Sequence, residues 1–120
     1  MFCATITVTD HTAAAQNLFT LLSKGSQTGY TVSPAAGIIT NLTMIASASY
    51  LSIQASPSNS GITLYKGDEN TANDGSRQAK ELQNGDVDVS QAYPYSVNLQ
   101  EIYMRASADG GKFNVEIHYS

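Results

Sequence analysis

The sequence predicts an all-β fold, an antiparallel β-sandwich of jelly-roll-like type with one short N-terminal helix. Three observations carry this. Segments of period-two alternation recur along the chain, Gly, Pro, Asn and Asp punctuate them at short intervals, and only one stretch, ahead of Lys24, has helical spacing. With 120 residues the chain is the length of one ordinary domain, so a single β-sandwich domain over residues 1–120 is expected.

Thr5-Ile6-Thr7-Val8-Thr9 alternates apolar and polar residues, the pattern of a half-buried strand. Asp10 or Thr12 is then placed to cap a helix of about three turns, whose apolar face is Ala14, Leu18, Leu21 and Leu22 with Phe19 beside them. Lys24-Gly25 supplies the cation and the left-handed glycine that end helices. Tyr30-Thr31-Val32 reads as a strand running into a turn at residues 33–37. Residues 38–55 are almost free of charge and too long for one strand, so they divide near Ala48-Ser49. In the second part Leu51, Ile53 and Ala55 face one way, and Tyr50, Ser52 and Gln54 the other.

Residues 56–61 form a loop by composition, and Ile62, Leu64 and Lys66 a strand ending at Gly67. A loop over residues 68–76 and a segment from Arg77 to Leu82 follow. The Asn84-Gly85-Asp86 turn carries a hairpin signal, and Val87-Asp88-Val89-Ser90 is the next strand. Tyr93-Pro94-Tyr95 opens a further extended piece, since Pro94 has no ladder donor. At the end, Ile102, Met104 and Ala106 alternate against Tyr103 and Arg105. After a turn at Asp109-Gly110-Gly111, Phe113, Val115, Ile117 and Tyr119 alternate against Asn114, Glu116 and His118. This reads as a β-hairpin with one apolar face.

Composition narrows the function classes. Only 13% of residues are charged and the net charge is -4, with 6 Lys and Arg in all, which argues against a nucleic-acid partner. The charges are also unevenly spread. Asp10 and Lys24 alone precede residue 66, nine crowd between Lys66 and Asp88, and five lie between Glu101 and Glu116. Thr and Ser can simply decorate solvent-facing strands. Charge depletion also marks the centre of subunit interfaces. On that reading the chain before Lys66 turns toward neighbours and residues 66–88 toward solvent. The N-terminal residues lack a basic region and a long apolar run, so neither a signal peptide nor a membrane span is expected. Asn41-Leu42-Thr43 matches a glycosylation acceptor, and without a secretion signal it reads as a chance match.

Catalytic, cofactor-binding and metal-binding residues are not expected. The single cysteine, Cys3, excludes an internal disulfide and any multi-cysteine zinc motif. Asp68, Glu69, Asn70 and Asp74 offer oxygen donors to a cation such as calcium, but the spacing is not that of an EF-hand, and a solvated loop is the simpler reading. His11 and His118 could join Cys3 in a nucleophile or metal site. His118, however, falls on the polar face of its strand and His11 in a helix-start turn. The seven tyrosines, among them Tyr50, Tyr65, Tyr93, Tyr95 and Tyr103, suit either a sugar-stacking platform or an interface.

Five stretches carry a family resemblance. They are Leu51-Ser52-Ile53-Gln54-Ala55, the strand from Gly61 to Gly67, Leu82-Gln83-Asn84-Gly85-Asp86, the run from Leu99 to Ala106, and Gly111 to Tyr119. Together they resemble the small β-sandwich virion proteins of tailed bacteriophages. In that group a first strand and a short helix precede a strand with I-x-A, a strand ending in Gly, an L-x-x-G-D turn and a terminal I-Y-x-R-A hairpin. The likeness covers about the last seventy residues and, more loosely, residues 5–22. It departs from the pattern in the longer segment over residues 38–48. The resemblance implies a non-enzymatic structural protein of the phage particle, made in the host cytoplasm and carried on the capsid surface. Its role would be that of a decoration or cement protein that binds the major capsid protein and copies of itself. The alternative is an adhesion module of a tail or fibre that binds a surface glycan.

Overall fold

Strand β1 (Phe2–Val8) alternates half-buried or exposed residues with Ala4, Ile6 and Val8, all buried. This is what a strand with one face on a core requires. In the computed structural model, which describes residues 2–33, 47–91 and 97–118, β1 lies between β11 (Gly111–His118) and β3 (Tyr30–Ser33). β11 in turn pairs with β5 (Tyr50–Ala55), and β5 with β8 (Val87–Gln91). All these pairings are antiparallel, so the first sheet runs β3-β1-β11-β5-β8.

The second sheet is smaller. β2 (Gln16–Asn17), β10 (Tyr103–Ala106), β6 (Leu64–Gly67) and β7 (Lys80–Leu82) lie side by side in that order, again antiparallel. A short ladder of β4 (Ser47–Ala48) with β9 (Val97–Asn98) extends beyond β5 and β8. With β3 and that ladder set aside, eight strands remain. Counted along the chain they lie 1-8-3-6 in one sheet and 2-7-4-5 in the other. That order is the jelly roll, two Greek keys closed face to face.

The inward faces meet in one core. Ile6, Leu51, Ile53, Phe113 and Ile117 come from the first sheet and Leu64, Leu82 and Met104 from the second, all essentially inaccessible. Each such side chain contributes about 1.5–3 kcal/mol over leaving it exposed. Leu18, Leu21 and Leu22 of helix α1 (Leu18–Lys24) complete the core, the helix packing against β3 and a 3-10 turn at Leu99–Glu101. The Tyr30 hydroxyl crosses the sandwich and donates to the Met104 carbonyl at 2.7 Å.

Several expectations are corrected. The helix has only two turns, and its cap is Asn17, whose side chain accepts from the Thr20 N–H at 2.7 Å, not Asp10 or Thr12. Residues 9–15 are instead a loop, because β2 needs Gln16 and Asn17 for pairing with β10. The helix does end at Lys24-Gly25, with Gly25 at φ 81° and its N–H on the Leu21 carbonyl. The terminal segment is not a hairpin. β10 and β11 belong to different sheets, and the turn between them is held across the sandwich by Ser107 N–H to the Thr63 carbonyl and Gly110 N–H to the Val8 carbonyl. Asn84-Gly85 likewise joins β7 to β8 across sheets, since Gly85 and Asp86 exchange hydrogen bonds with Ala55 of β5. The break near Ala48-Ser49 and the alternation of β5 are as expected. The turn at residues 33–37 beyond Ser33, the strand over 38–46, Asn41-Leu42-Thr43, Tyr93-Pro94-Tyr95 and Tyr119 lie outside the described residues.

Candidate functional site

The outer faces of the two sheets are covered differently. Over the second sheet lie two loops of the chain itself, residues 9–15 and 68–79. Arg105, outward on β10, fastens both, donating from one guanidinium nitrogen to the His11 carbonyl at 3.0 Å and from another to the Thr71 carbonyl at 3.4 Å. Asn73 also donates to the His11 carbonyl, at 2.9 Å. Thr71 within the second loop and Tyr65 on the strand beneath it are buried. Gly29 fits the same packing: at φ 84°, a Cβ there would sit 2.4 Å from that of Ala13.

Over the first sheet no described segment lies in this way. Its outward positions carry Cys3, Thr5 and Thr7 on β1, Thr31 and Ser33 on β3, and Tyr50, Ser52 and Gln54 on β5. β11 adds Lys112, Asn114, Glu116 and His118. Lys112 and Glu116 are the charged residues of this face among the described strands. A shallow depression of about 550 Å³ crosses it, lined by Thr5, Ser33, Ser52, Gln54, Asn114 and Val87 among others. Its floor is a relay of side chains, in which Thr5 donates to Asn114 Oδ1 at 3.0 Å and Asn114 donates to Gln54 Oε1 at 3.2 Å.

Strand β8 reverses the ordinary alternation. Val87 and Val89 oppose Gln54 and Ser52, so they point outward, 51% and 50% exposed, the exposed large hydrophobics among the described residues. Asp88 and Ser90 turn inward, where Lys66 from the second sheet reaches across to both, making an ion pair with Asp88. The strand pattern around Val87 was legible, but its orientation was not, because the Lys66 partner lies on another sheet.

The sequence-predicted site residues fall apart from one another. Cys3 is exposed on β1, while His11 sits in the loop beyond the opposite end of that strand rather than in a helix-start turn. His118 lies on the polar face as expected, with its Nε2 3.0 Å from Glu116 and its ring edge-on to Tyr50 at 4.9 Å. Asp10, His11 and Asp109 hold their ligand-type atoms within 4.8 Å of one another, a combination that spacing could not reveal. These groups are spent on local bonds. Asp109 accepts from the His11 N–H at 2.8 Å and meets Nδ1 at 2.7 Å, and Asp10 accepts from the Thr12 N–H and hydroxyl. The Thr12 hydroxyl and N–H hold the Asp10 carboxyl below its ordinary range, and the His11 N–H does the same for Asp109. In the loop over residues 68–76, Asp68 accepts from the Asn70 N–H, and Asp74 from Ser76, which lowers the Asp74 carboxyl in the same way. These are self-capping turns. Of the tyrosines, Tyr30 and Tyr65 are buried, while Tyr50 and Tyr103 lie half-buried on different sheets.

No protein-family model, characterised protein or solved structure matches the chain. Among the described residues no helix is long and apolar enough to cross a membrane.

Proposed function

We propose that the protein is a structural component of a tailed-phage particle, a head decoration protein that docks on the major capsid protein through the outer face of its five-stranded sheet. It has no catalytic role in this reading. The observation that carries the proposal is the difference between the two sheets: one outer face is covered by the chain's own loops, while over the other no described residues lie and its strands are nearly free of charge. Burying Thr, Ser and Val against a partner costs far less than burying unpaired carboxylates or ammonium groups. The sequence resemblance points to the same role, and jelly rolls recur in capsid proteins.

Size sets the mechanism. Five strands about 4.8 Å apart and on average about 20 Å long present roughly 500 Å² in plan, a patch at or below the ~800 Å² of accessible surface per partner of a standard interface. One copy is therefore expected to bind a capsid weakly, with the stabilisation of a shell coming from many copies. Purified protein should co-sediment with capsids lacking it and raise their melting temperature; failure of both would refute the proposal.

A second reading, a glycan-binding module of a tail or fibre, draws on the hydroxyl and amide groups lining the depression. Against it, the lining has no aromatic ring for a sugar to stack on. A glycan array showing binding that Gln54→Ala abolishes would favour this second reading.

A further inference from the structure

We propose that the chain forms a two-fold symmetric dimer by antiparallel pairing of β8 with β8 of a second copy, joining two five-stranded sheets into one of ten strands. The inference goes beyond the docking reading and stands independently of what the sheet face meets.

Among the described residues no strand pairs with β8 on the side away from β5. Among the described residues, the other three edges of the two larger sheets are protected in familiar ways. β2 has two residues, β7 exposes Lys80 and Glu81, and β3 is covered on its outer side by residues 26–27, where Gln27 exchanges main-chain bonds with Tyr30 and the Ser26 hydroxyl accepts from the Val32 N–H. β8 has five residues and turns Val87 and Val89 outward instead of charge. Its one charged residue, Asp88, is turned inward and neutralised by Lys66, so it does not guard the edge.

Backbone direction fixes which groups are on offer. The Ala55 N–H donates to Asp86 and its carbonyl accepts from Gly85, so Ala55 faces β8. By alternation Ile53 and Leu51 face β8 as well, and their partners Asp88 and Ser90 face back. The main-chain N–H and C=O groups of Val87, Val89 and Gln91 therefore point to the open edge. A two-fold axis through Val89 then pairs Val89 with its own copy and Val87 with Gln91, forming six main-chain hydrogen bonds. In that register Asp88 opposes Ser90, so no like charges meet. An axis through Asp88 would keep four main-chain bonds, between Val87 and Val89 of opposite copies, but it sets two Asp88 side chains directly opposite each other. Beyond the bonds, the pairing brings four half-exposed valines into one stripe and doubles the area of the sheet face.

An edge-to-edge contact is a small interface, so the association is expected to be weak and reversible. Sedimentation equilibrium of the protein alone, from about 10 μM to about 1 mM, should show the mass rising from 12.8 kDa to twice that value and no further. Val89→Lys, which places two ammonium groups on the axis, should weaken self-association at least tenfold with unchanged far-UV circular dichroism. Val89→Pro, which removes only an outward N–H, should do the same if the lysine variant folds poorly. Thr7→Lys, on the same face but away from the edge, should leave the dimer intact. A wild-type chain that stays monomeric, assembles beyond two copies, or dimerises equally well with Val89→Lys or Val89→Pro would overturn the proposal. Capsid binding plays no part in this measurement, so the two proposals fail separately.

Discussion

Tyr30 is an inward-facing strand residue whose ring fills the core while its hydroxyl satisfies a carbonyl of the opposite sheet. Burial pushes its pKa up to about 12. Because the folded value lies above the unfolded value near 10, the neutral phenol's contribution is fully present below pH 10 and is lost as pH rises toward 12. The loss amounts to about 2–3 kcal/mol. Tyr30→Phe should cost about 1 kcal/mol at neutral pH, by removing a buried hydrogen bond to the Met104 carbonyl, and should flatten the alkaline loss. Urea titrations at pH 7 and pH 11 read both effects. At the acid end the sign reverses. The Asp10 and Asp109 carboxyls are held low by Thr12 and His11, so their contribution is present above the ordinary carboxylate range and disappears as pH falls through their lowered folded values. Asp109→Asn should weaken the acid dependence of stability, as measured by thermal melts between pH 6 and the acid limb. The sequence marked Tyr30 as a strand residue. It could not show the hydroxyl's partner, which lies 74 positions away.

At the scale of elements, alternation was a reliable guide to inside and outside wherever the inner face is apolar, as in β5 and β11. It said nothing of strand partners. In a jelly roll, successive strands often pass to the opposite sheet, so two alternating runs joined by a tight turn look like a hairpin even when they never pair, as β10 and β11 do not. β8 also defeats alternation, because Lys66 gives Asp88 a reason to face inward. That pair ties the sheets together near an edge, with side chains 17% and 20% exposed. Asp88→Ala should destabilise by about 1–3 kcal/mol, since it strands a partly buried ammonium group. Adding Lys66→Met should recover part of that loss. A double-mutant cycle by chemical denaturation measures the coupling, and fully additive effects would show that the two side chains do not depend on each other.

At the scale of the whole molecule, the uneven distribution of charge along the sequence becomes a difference between faces. β1, β3 and β5 supply the uncharged strands of the open sheet, and the charged residues 68–81 lie with the covered one. The expectation that the chain before Lys66 turns toward neighbours is thereby recast. β8 and β11, from after Lys66, share the proposed docking face, and α1, from before it, lies in the core. The resulting claim, that the open sheet faces the capsid, can be tested with the chain's single cysteine. Cys3 is exposed on that face. Its maleimide labelling rate should fall at least tenfold when the protein is bound to capsids, while a Glu69→Cys variant in a Cys3→Ser background, on the loop over the other sheet, keeps its free rate. Equal labelling of Cys3 in free and bound protein, or protection at position 69 instead, would contradict the account.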